Sequence, residues 1–357
     1  MSLSIGIVGL PNVGKSTLFN ALAGRNVPAE NYPFCTIDPS VGVVGVPDER
    51  LTALSRLSDS KKIIPAAIEF TDIAGLVSGA SRGEGLGNKF LSHIREVDAL
   101  AEVVRLFEDK DITHVHGEIN PLHDIDVINL ELVLADFETV TKRRGNLSRD
   151  VKRGDKTAIF EDALLERIEK VLDAGKLASS LEYSEDESLV VKSLHLLSMK
   201  PILYVINKKA DESIDEELVT FFKKEGASYV VLDSATERDL ATLEGKEKEM
   251  MRREMGISEN GLNSLIVKSY EMLNLMSYFT TGEDETRGWT VKVNSNAKEA
   301  GAAIHSDFRD KFIRADVISY DELMKAGSYA SAREQGLVRT EGKEYIVKDG
   351  DVIEFKI

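Results

Sequence analysis

Cysteine is nearly absent from the chain: Cys35 stands alone among 357 residues. A lone thiol makes no intramolecular disulfide, so the fold rests on its core, and a reducing cytoplasm is the expected compartment. Long apolar runs are missing too, since crossing a bilayer takes about 20 such residues and the run Ile202 to Ile206 is hemmed by Pro201 and Asn207. No membrane partner is expected, and the opening MSLSIGIVGL has neither the basic region nor the apolar stretch of a secretory signal. Basic residues are in deficit. Lysine plus arginine number 45 against 61 aspartate plus glutamate, a net charge of −16, so any RNA contact has to come from a local basic patch. Against these shortages, 42% hydrophobic and 30% charged residues is the balance of a folded globular chain, long enough for two or three domains.

Ser4 to Gly9 reads as a short buried strand, and Lys15 to Ala23 carries helical apolar spacing through Leu18, Phe19 and Leu22. Four further apolar runs, Ala66 to Phe70, Leu100 to Phe107, Ile202 to Ile206 and Tyr229 to Leu232, alternate with helix-length segments. This is the pattern of a parallel α/β sheet. Between Asp124 and Met199 the strand signals stop. Val127, Leu130, Leu134 and Phe137 step by 3, 4 and 3, which predicts a paired-helix arm with the basic segment 141–156 as its distal turn. Past Ser277 the pattern changes again: strand-like Trp289 to Val293, a helix over Ala297 to Arg309, strand-like Ile313 to Ile318 and a last strand Val352 to Ile357 predict a small α+β domain. The expected division is 1–123 and 200–276 for a split α/β domain, 124–199 for the arm and 277–357 for the tail.

Gly9-Leu10-Pro11-Asn12-Val13-Gly14-Lys15-Ser16 matches GxxxxGK[ST] between the first strand and the first helix, the context a P-loop needs. The glycines let backbone N–H groups of Asn12 to Thr17 turn toward phosphate oxygens at a helix N-terminus. Lys15 is placed to reach β and γ phosphates, and the Ser16 hydroxyl suits Mg²⁺, a hard cation that prefers oxygen. Asp72-Ile73-Ala74-Gly75 follows the strand ending at Phe70. This DxxG sets Asp72 to hold a Mg²⁺-bound water and the Gly75 N–H to meet the γ phosphate. Between the two motifs, Thr36 offers a third oxygen to the metal.

GLPNVGKSTLFNAL, NYPFCTIDPSVGVVGVPDERL, DIAGLVSGASRGEGLGNKFL and DIDVINLELVLAD together resemble the Obg-like ATPase (YchF) subfamily of the Obg family of P-loop GTPases. The tail segments YFTTGEDETRGWTV and DGDVIEFKI resemble that family's TGS domain, a β-grasp module. The resemblance covers nearly the whole chain. It implies a G domain with an inserted coiled-coil arm, hydrolysis of ATP or GTP with Mg²⁺, and association with the ribosome through its large subunit or the whole particle. RNA contact is expected at the basic arm tip and the TGS domain.

Ras-like enzymes orient the attacking water with a glutamine after DxxG, and here that position is Leu76, which has no polar group. The resemblance points instead to His114, in the loop after the strand Leu100 to Phe107, as the group that positions water. For base choice, GTPases use NKxD, whose aspartate accepts from guanine, and the Obg-like ATPases show NxxE. This chain has Asn207-Lys208-Lys209-Ala210, with Asp211 one place late. Ala210 accepts nothing, and a buried guanine donor left unpaired costs about 1–3 kcal/mol, so ATP is the expected nucleotide with GTP weaker. Asn207 and Lys208 frame the purine, and Ser234-Ala235-Thr236 resembles the last base-contact loop. Other readings of the same residues are a GTP-preferring GTPase if Asp211 shifts register, a metabolic phosphotransferase, and a nucleotide sensor without turnover.

Overall fold

A computed structural model describes residues 3–27, 38, 40–73, 85–114, 118–210, 212–243, 245–255 and 261–357. Its strands are β1 (Ser4–Val8), β2 (Val41–Gly45), β3 (Lys62–Ile64), β4 (Ala67–Asp72), β5 (Ala99–Arg105), β6 (Ile202–Asn207), β7 (Ser228–Leu232), β8 (Leu275–Thr281), β9 (Glu285–Lys292), β10 (Arg314–Ser319), β11 (Arg339–Glu341) and β12 (Asp351–Lys356). The first eight helices are α1 (Lys15–Ala23), α2 (Glu49–Leu57), α3 (Gly85–Glu96), α4 (Pro121–Lys152), α5 (Lys156–Asp173), α6 (Glu185–Leu194), α7 (Glu216–Glu225) and α8 (Ser234–Ala241). The chain forms two compact units, one of Leu3–Gly24 with Phe70–Gly261, the other gathering Arg25–Glu69 with Leu262–Ile357.

In the first unit β1, β5, β6 and β7 run parallel, registered through Ile7↔Ala101, Val103↔Val205 and Ile206↔Val231. Ile73, just past β4, donates its N–H to the Ile7 carbonyl at 3.2 Å, which sets the end of β4 beside β1. Strands covered on both faces read as continuous apolar runs, and β5 is buried at every position, Glu102 and Arg105 included. The carboxyl ends of β1, β4, β5 and β6 therefore open along one edge of the sheet, where α/β folds bind ligands.

The arm is an antiparallel pair of α4 and α5, but its details differ from the sequence pattern. Segment 141–152 is helix, and the turn is only Arg153 to Asp155. Arg143 pairs with Glu161, and Arg144 with Asp162 and Glu169, so two cations assigned to the tip instead bind the helices to each other. Of the stripe Val127-Leu130-Leu134-Phe137 only Phe137 packs on the arm's core; Leu130 and Leu134 are exposed, while Ile125, Ile128, Leu132, Val133 and Val140 are buried. Both stripes have helical spacing; the buried one is chosen because α4 begins against β5 and β6 with Ile125 beside Val104 and Ile206, then continues against α5 with Val140 beside Leu165 and Ile168. Buried Asp136 accepts from the Leu197 and Ser198 N–H groups at 2.8 and 2.7 Å and so fixes where the chain leaves the arm for β6.

The second unit is a mixed sheet in the order β11-β10-β12-β8-β9-β3. The expected helix over Ala297 to Arg309 is two helices, Ala297–Ile304 and Ser306–Asp310, because His305 is extended and caps the second with its ring nitrogen at 3.2 Å from the Asp307 N–H. The sequence division put residues 25–69 with the P-loop, yet β3 hydrogen-bonds to β9, and α2 buries Leu51 and Leu54 with Phe279, Ile318 and Leu323. Arg50 holds this packing: it pairs with Asp48 at 2.8 Å and Asp349 at 2.6 Å and lies over the Phe279 ring.

Candidate nucleotide site

The loop between β1 and α1 takes its shape from three backbone torsions, with φ of 147° at Gly9, 63° at Asn12 and 101° at Gly14. A Cβ at Gly9 would stand 2.6 Å from the Val103 carbonyl oxygen, and one at Gly14 2.3 Å from Asn207 Nδ2. Only glycine fits either place. Gly14 also precedes α1, so the loop delivers the chain to a helix N-terminus, where an anion is favoured.

Lys15 is buried, and its ammonium donates to the Leu10 carbonyl at 2.7 Å, spanning the loop that it closes. Burial pushes its pKa down to about 8, partly opposed by the Asp72 carboxylate. Ser16 Oγ donates to Asp72 Oδ2 at 3.3 Å, so the hydroxyl expected on the metal faces the carboxylate expected to hold a metal-bound water. Thr36 and Gly75, assigned to the metal and the γ phosphate, lie outside the described residues, as do Cys35, Leu76 and Asp211.

Asn207, at the end of β6, is the keystone of the arrangement. Its Nδ2 donates to the Val13 carbonyl at 2.8 Å, and its Oδ1 accepts from the Ser234 N–H at 3.0 Å. One buried amide thus fixes the P-loop to the start of α8. Asp233 caps α8, accepting from the Ala235 and Thr236 N–H groups at 3.0 and 3.1 Å and from the Thr236 hydroxyl at 2.9 Å. The backbone donors of Ser234 to Thr236, assigned to the base, are therefore engaged within the protein. The Ser234 hydroxyl, 1% exposed, has no hydrogen-bond partner among the described residues.

The base loop is self-contained as well. The Lys208 ammonium donates to the carbonyls of Lys209 and Glu212 at 2.8 and 2.6 Å. Glu212 accepts from the Lys209 N–H at 2.7 Å and from the Glu108 N–H at 2.9 Å, so this acid is occupied on both oxygens. Between P-loop and base loop lies a cavity of about 510 Å³ lined by Asn12, Gly14 to Thr17, Phe107, Asp109, Ile112, Asn207 to Lys209, Asp233 to Ala235 and Arg238. Val13 contributes its carbonyl behind this wall, and Thr236 stands in the cap of α8.

His114 lies back from the cavity. Its imidazole is buried, with Nε2 3.0 Å from Asp124 Oδ2 on the first turn of α4, and it is not among the cavity-lining residues. A loop histidine next to polar neighbours reads as solvent-facing; the ring turns inward because a carboxylate on α4 receives it. Sequence reasoning missed Phe107, Asp109 and Ile112 as cavity walls, and Glu212 as the clasp of the base loop. The signal for Arg105, described below, was one cation in an apolar strand.

A family model described as a 50S ribosome-binding GTPase matches residues 4–135, and the YchF GTPase C-terminal model, described as a protein of unknown function, matches residues 275–357. The chain is 52% identical to the Ribosome-binding ATPase YchF of Bacillus subtilis (strain 168), over 100% of this chain and 99% of that protein. It is 44% identical to the protein of the same name from Escherichia coli O157:H7, over 99% of each. Among solved structures, the YchF GTPase of Schizosaccharomyces pombe is 35% identical, with a TM-score of 0.89 over 99% of this chain and 98% of that one.

Proposed function

The chain belongs to the YchF family, and from that premise we propose that it is a ribosome-binding nucleoside-triphosphatase that prefers ATP to GTP. The phosphates lie on the loop Asn12 to Thr17, with the Lys15 ammonium moving from the Leu10 carbonyl to the β and γ oxygens. Ser16 and Asp72 fit Mg²⁺: the Ser16 hydroxyl is a hard oxygen donor, and the Asp72 carboxylate, 3.3 Å from it, would hold a metal-bound water. Mg²⁺ held there would supply neutralisation of developing phosphate charge; in our reading Thr36 would join its ligands and the Gly75 N–H would meet the γ phosphate.

The observation that carries ATP over GTP is the base loop. The Ala210 side chain has no acceptor, and both oxygens of Glu212, the next described acid in this loop, already accept from main-chain N–H groups, so the position that pairs with the guanine N1 and N2 donors in NKxD is empty of an acid. Asn207, Lys208, Ser234 and Ala235 shape the purine pocket, and Thr236 stands behind it in the cap of α8. His114 positions the attacking water only after Nε2 leaves Asp124, which makes turnover slow without a trigger. The ribosome's large subunit is the partner in this reading. Arg149, Lys152 and Lys156, exposed at the arm tip, supply its RNA contact together with the C-terminal unit, which we read as a TGS domain. The cytoplasm is the corresponding compartment.

Affinities for ATP and GTP measured in parallel with Mg²⁺, followed by phosphate release without any acceptor, test this reading. ATP binding at least as tight as GTP, with phosphate released to water, is the expected result. GTP binding tenfold tighter would make the protein a GTPase, and a requirement for a small acceptor would make it a phosphotransferase.

A further inference from the structure

Arg105 ends β5 with 1% of its surface exposed, and among the described residues no carboxylate pairs with it. Its guanidinium is satisfied by main-chain carbonyls: Nε donates to Phe107 at 3.1 Å, Nη1 to Asn12 at 3.4 Å and Nη2 to Ile112 at 3.1 Å. The plane lies over the Phe107 ring, 4.3 Å from its centroid. Asn12 answers from the P-loop, its Nδ2 donating to the Thr113 carbonyl at 3.1 Å. Three bonds therefore join the P-loop residue Asn12 to Ile112 and Thr113, and the next residue is His114.

A buried cation without a counter-ion is a costly way to fill space, and an apolar side chain would pack there at lower cost. What the guanidinium supplies is a planar fork that holds separate acceptors in fixed relation, which an ammonium cannot reproduce. Here the acceptors belong to two loops with different duties. Asn12 lines the phosphate end of the cavity, at a left-handed torsion that strains a residue other than glycine. Ile112 lies beside the base end and leads to the histidine.

We propose that Arg105 is a positioning residue that couples phosphate occupancy of the P-loop to the placement of His114. The inference rests on the reading of His114 as the group that orients water. Triphosphate binding acts on the Asn12 backbone; because Asn12 and Ile112 share one guanidinium, movement of the first carries the second, and the segment Ile112 to His114 shifts as a piece. Without the fork the nucleotide still binds, but the imidazole is no longer drawn from Asp124 in register with it. A displacement of about 1 Å in a catalytic group costs on the order of a hundredfold in rate.

The test is a double-mutant cycle in the full chain, measuring ATP affinity, kcat and melting temperature for Arg105→Lys, His114→Ala and the pair. Arg105→Lys is expected to keep ATP affinity within about threefold and to lower kcat at least tenfold, while adding less than twofold to the loss in His114→Ala. Equal losses in both backgrounds, an unchanged kcat, or a defect confined to affinity would overturn the coupling while leaving the His114 reading intact. Wild-type turnover by His114→Ala would overturn that reading, and the coupling with it. If Arg105→Lys does not fold, Arg105→Gln, which keeps a planar donor but cannot span both the Asn12 and Ile112 carbonyls, takes its place in the cycle. It should lower kcat at least tenfold with His114 present and less than twofold in its absence, and equal losses in both overturn the proposal.

Discussion

At the phosphate end of the cavity the shape is set by backbone torsions at Gly9, Asn12 and Gly14, and the side chains of Lys15 and Ser16 rest on nearby oxygens that a ligand can replace. At the base end the shape is set by side chains holding main chain: Asn207 on Ser234, Asp233 on Ala235 and Thr236, Glu212 on Lys209 and Glu108. A backbone cradle tolerates few sequences, because glycine alone fits at positions 9 and 14 and the left-handed torsion at Asn12 suits few other residues. A side-chain scaffold tolerates many, because any residue that satisfies the same N–H groups preserves it. In the proposed reading the phosphate end is thus chemically fixed, and the base end is where a substitution can change the nucleotide.

The most severe way to break the phosphate end is Lys15→Ala. Losing two charge-assisted hydrogen bonds of about 1.5–3 kcal/mol each should weaken ATP binding more than a hundredfold in calorimetry, with GTP affected alike. Next comes Asn207→Ala, which should injure both ends together. It orphans the buried Val13 carbonyl and Ser234 N–H, so a loss of about 2–4 kcal/mol is expected. That loss should appear in thermal unfolding as well as in affinity; a change in affinity alone would show that the ends are separately supported.

The contrast sharpens with Ala210→Asp. Supplying an acceptor for guanine should move the GTP-to-ATP affinity ratio by about tenfold and leave phosphate release from ATP nearly unchanged; an unaltered ratio would mean the loop does not present position 210 to the base. The mildest probe is pH. With the Lys15 pKa lowered to about 8 in the free protein, the ammonium is lost as pH rises through 8, and bound phosphates restore it. Binding should then take up a proton above pH 8, and Kd should rise by at most about tenfold per unit. Calorimetry in two buffers of different ionisation enthalpy reads the proton directly, and no uptake at pH 8.5 would mean that Lys15 is charged on both sides of the reaction.

What the sequence revealed follows the same division. The P-loop was legible because strand, glycines and helix are contiguous, and β5 and β6 because strands buried on both faces are mostly apolar, while the edge strand β7 showed through the run Tyr229 to Leu232. The inner face of α4 was not, since Leu130 and Leu134 repeat as helically as Ile125, Ile128 and Leu132 do, and only the placement of β5 and α5 decides between them. His114 was singled out only by resemblance, and its inward turn depends on Asp124, which periodicity cannot bring beside it. Arg105 hid in a run read as apolar. Arg143 and Arg144 looked like a surface patch because their acids arrive only when α5 folds back, 18 residues on.

The placement of α2 and β3 on the C-terminal sheet also has a bearing on how the chain is made. Ser60 bonds to Gly282, 222 residues later, and Arg50 to Asp349, 299 later. During synthesis at about 5–20 residues per second, the segment holding Leu51 and Leu54 leaves the exit tunnel tens of seconds before Phe279, Ile318 and Leu323 exist to cover it. Contacts of such separation fold late. For that interval the nascent chain carries an uncovered apolar helix, and a product terminated before β8 would carry it for good. The full sheet, rather than the P-loop, is therefore the step that marks a finished molecule.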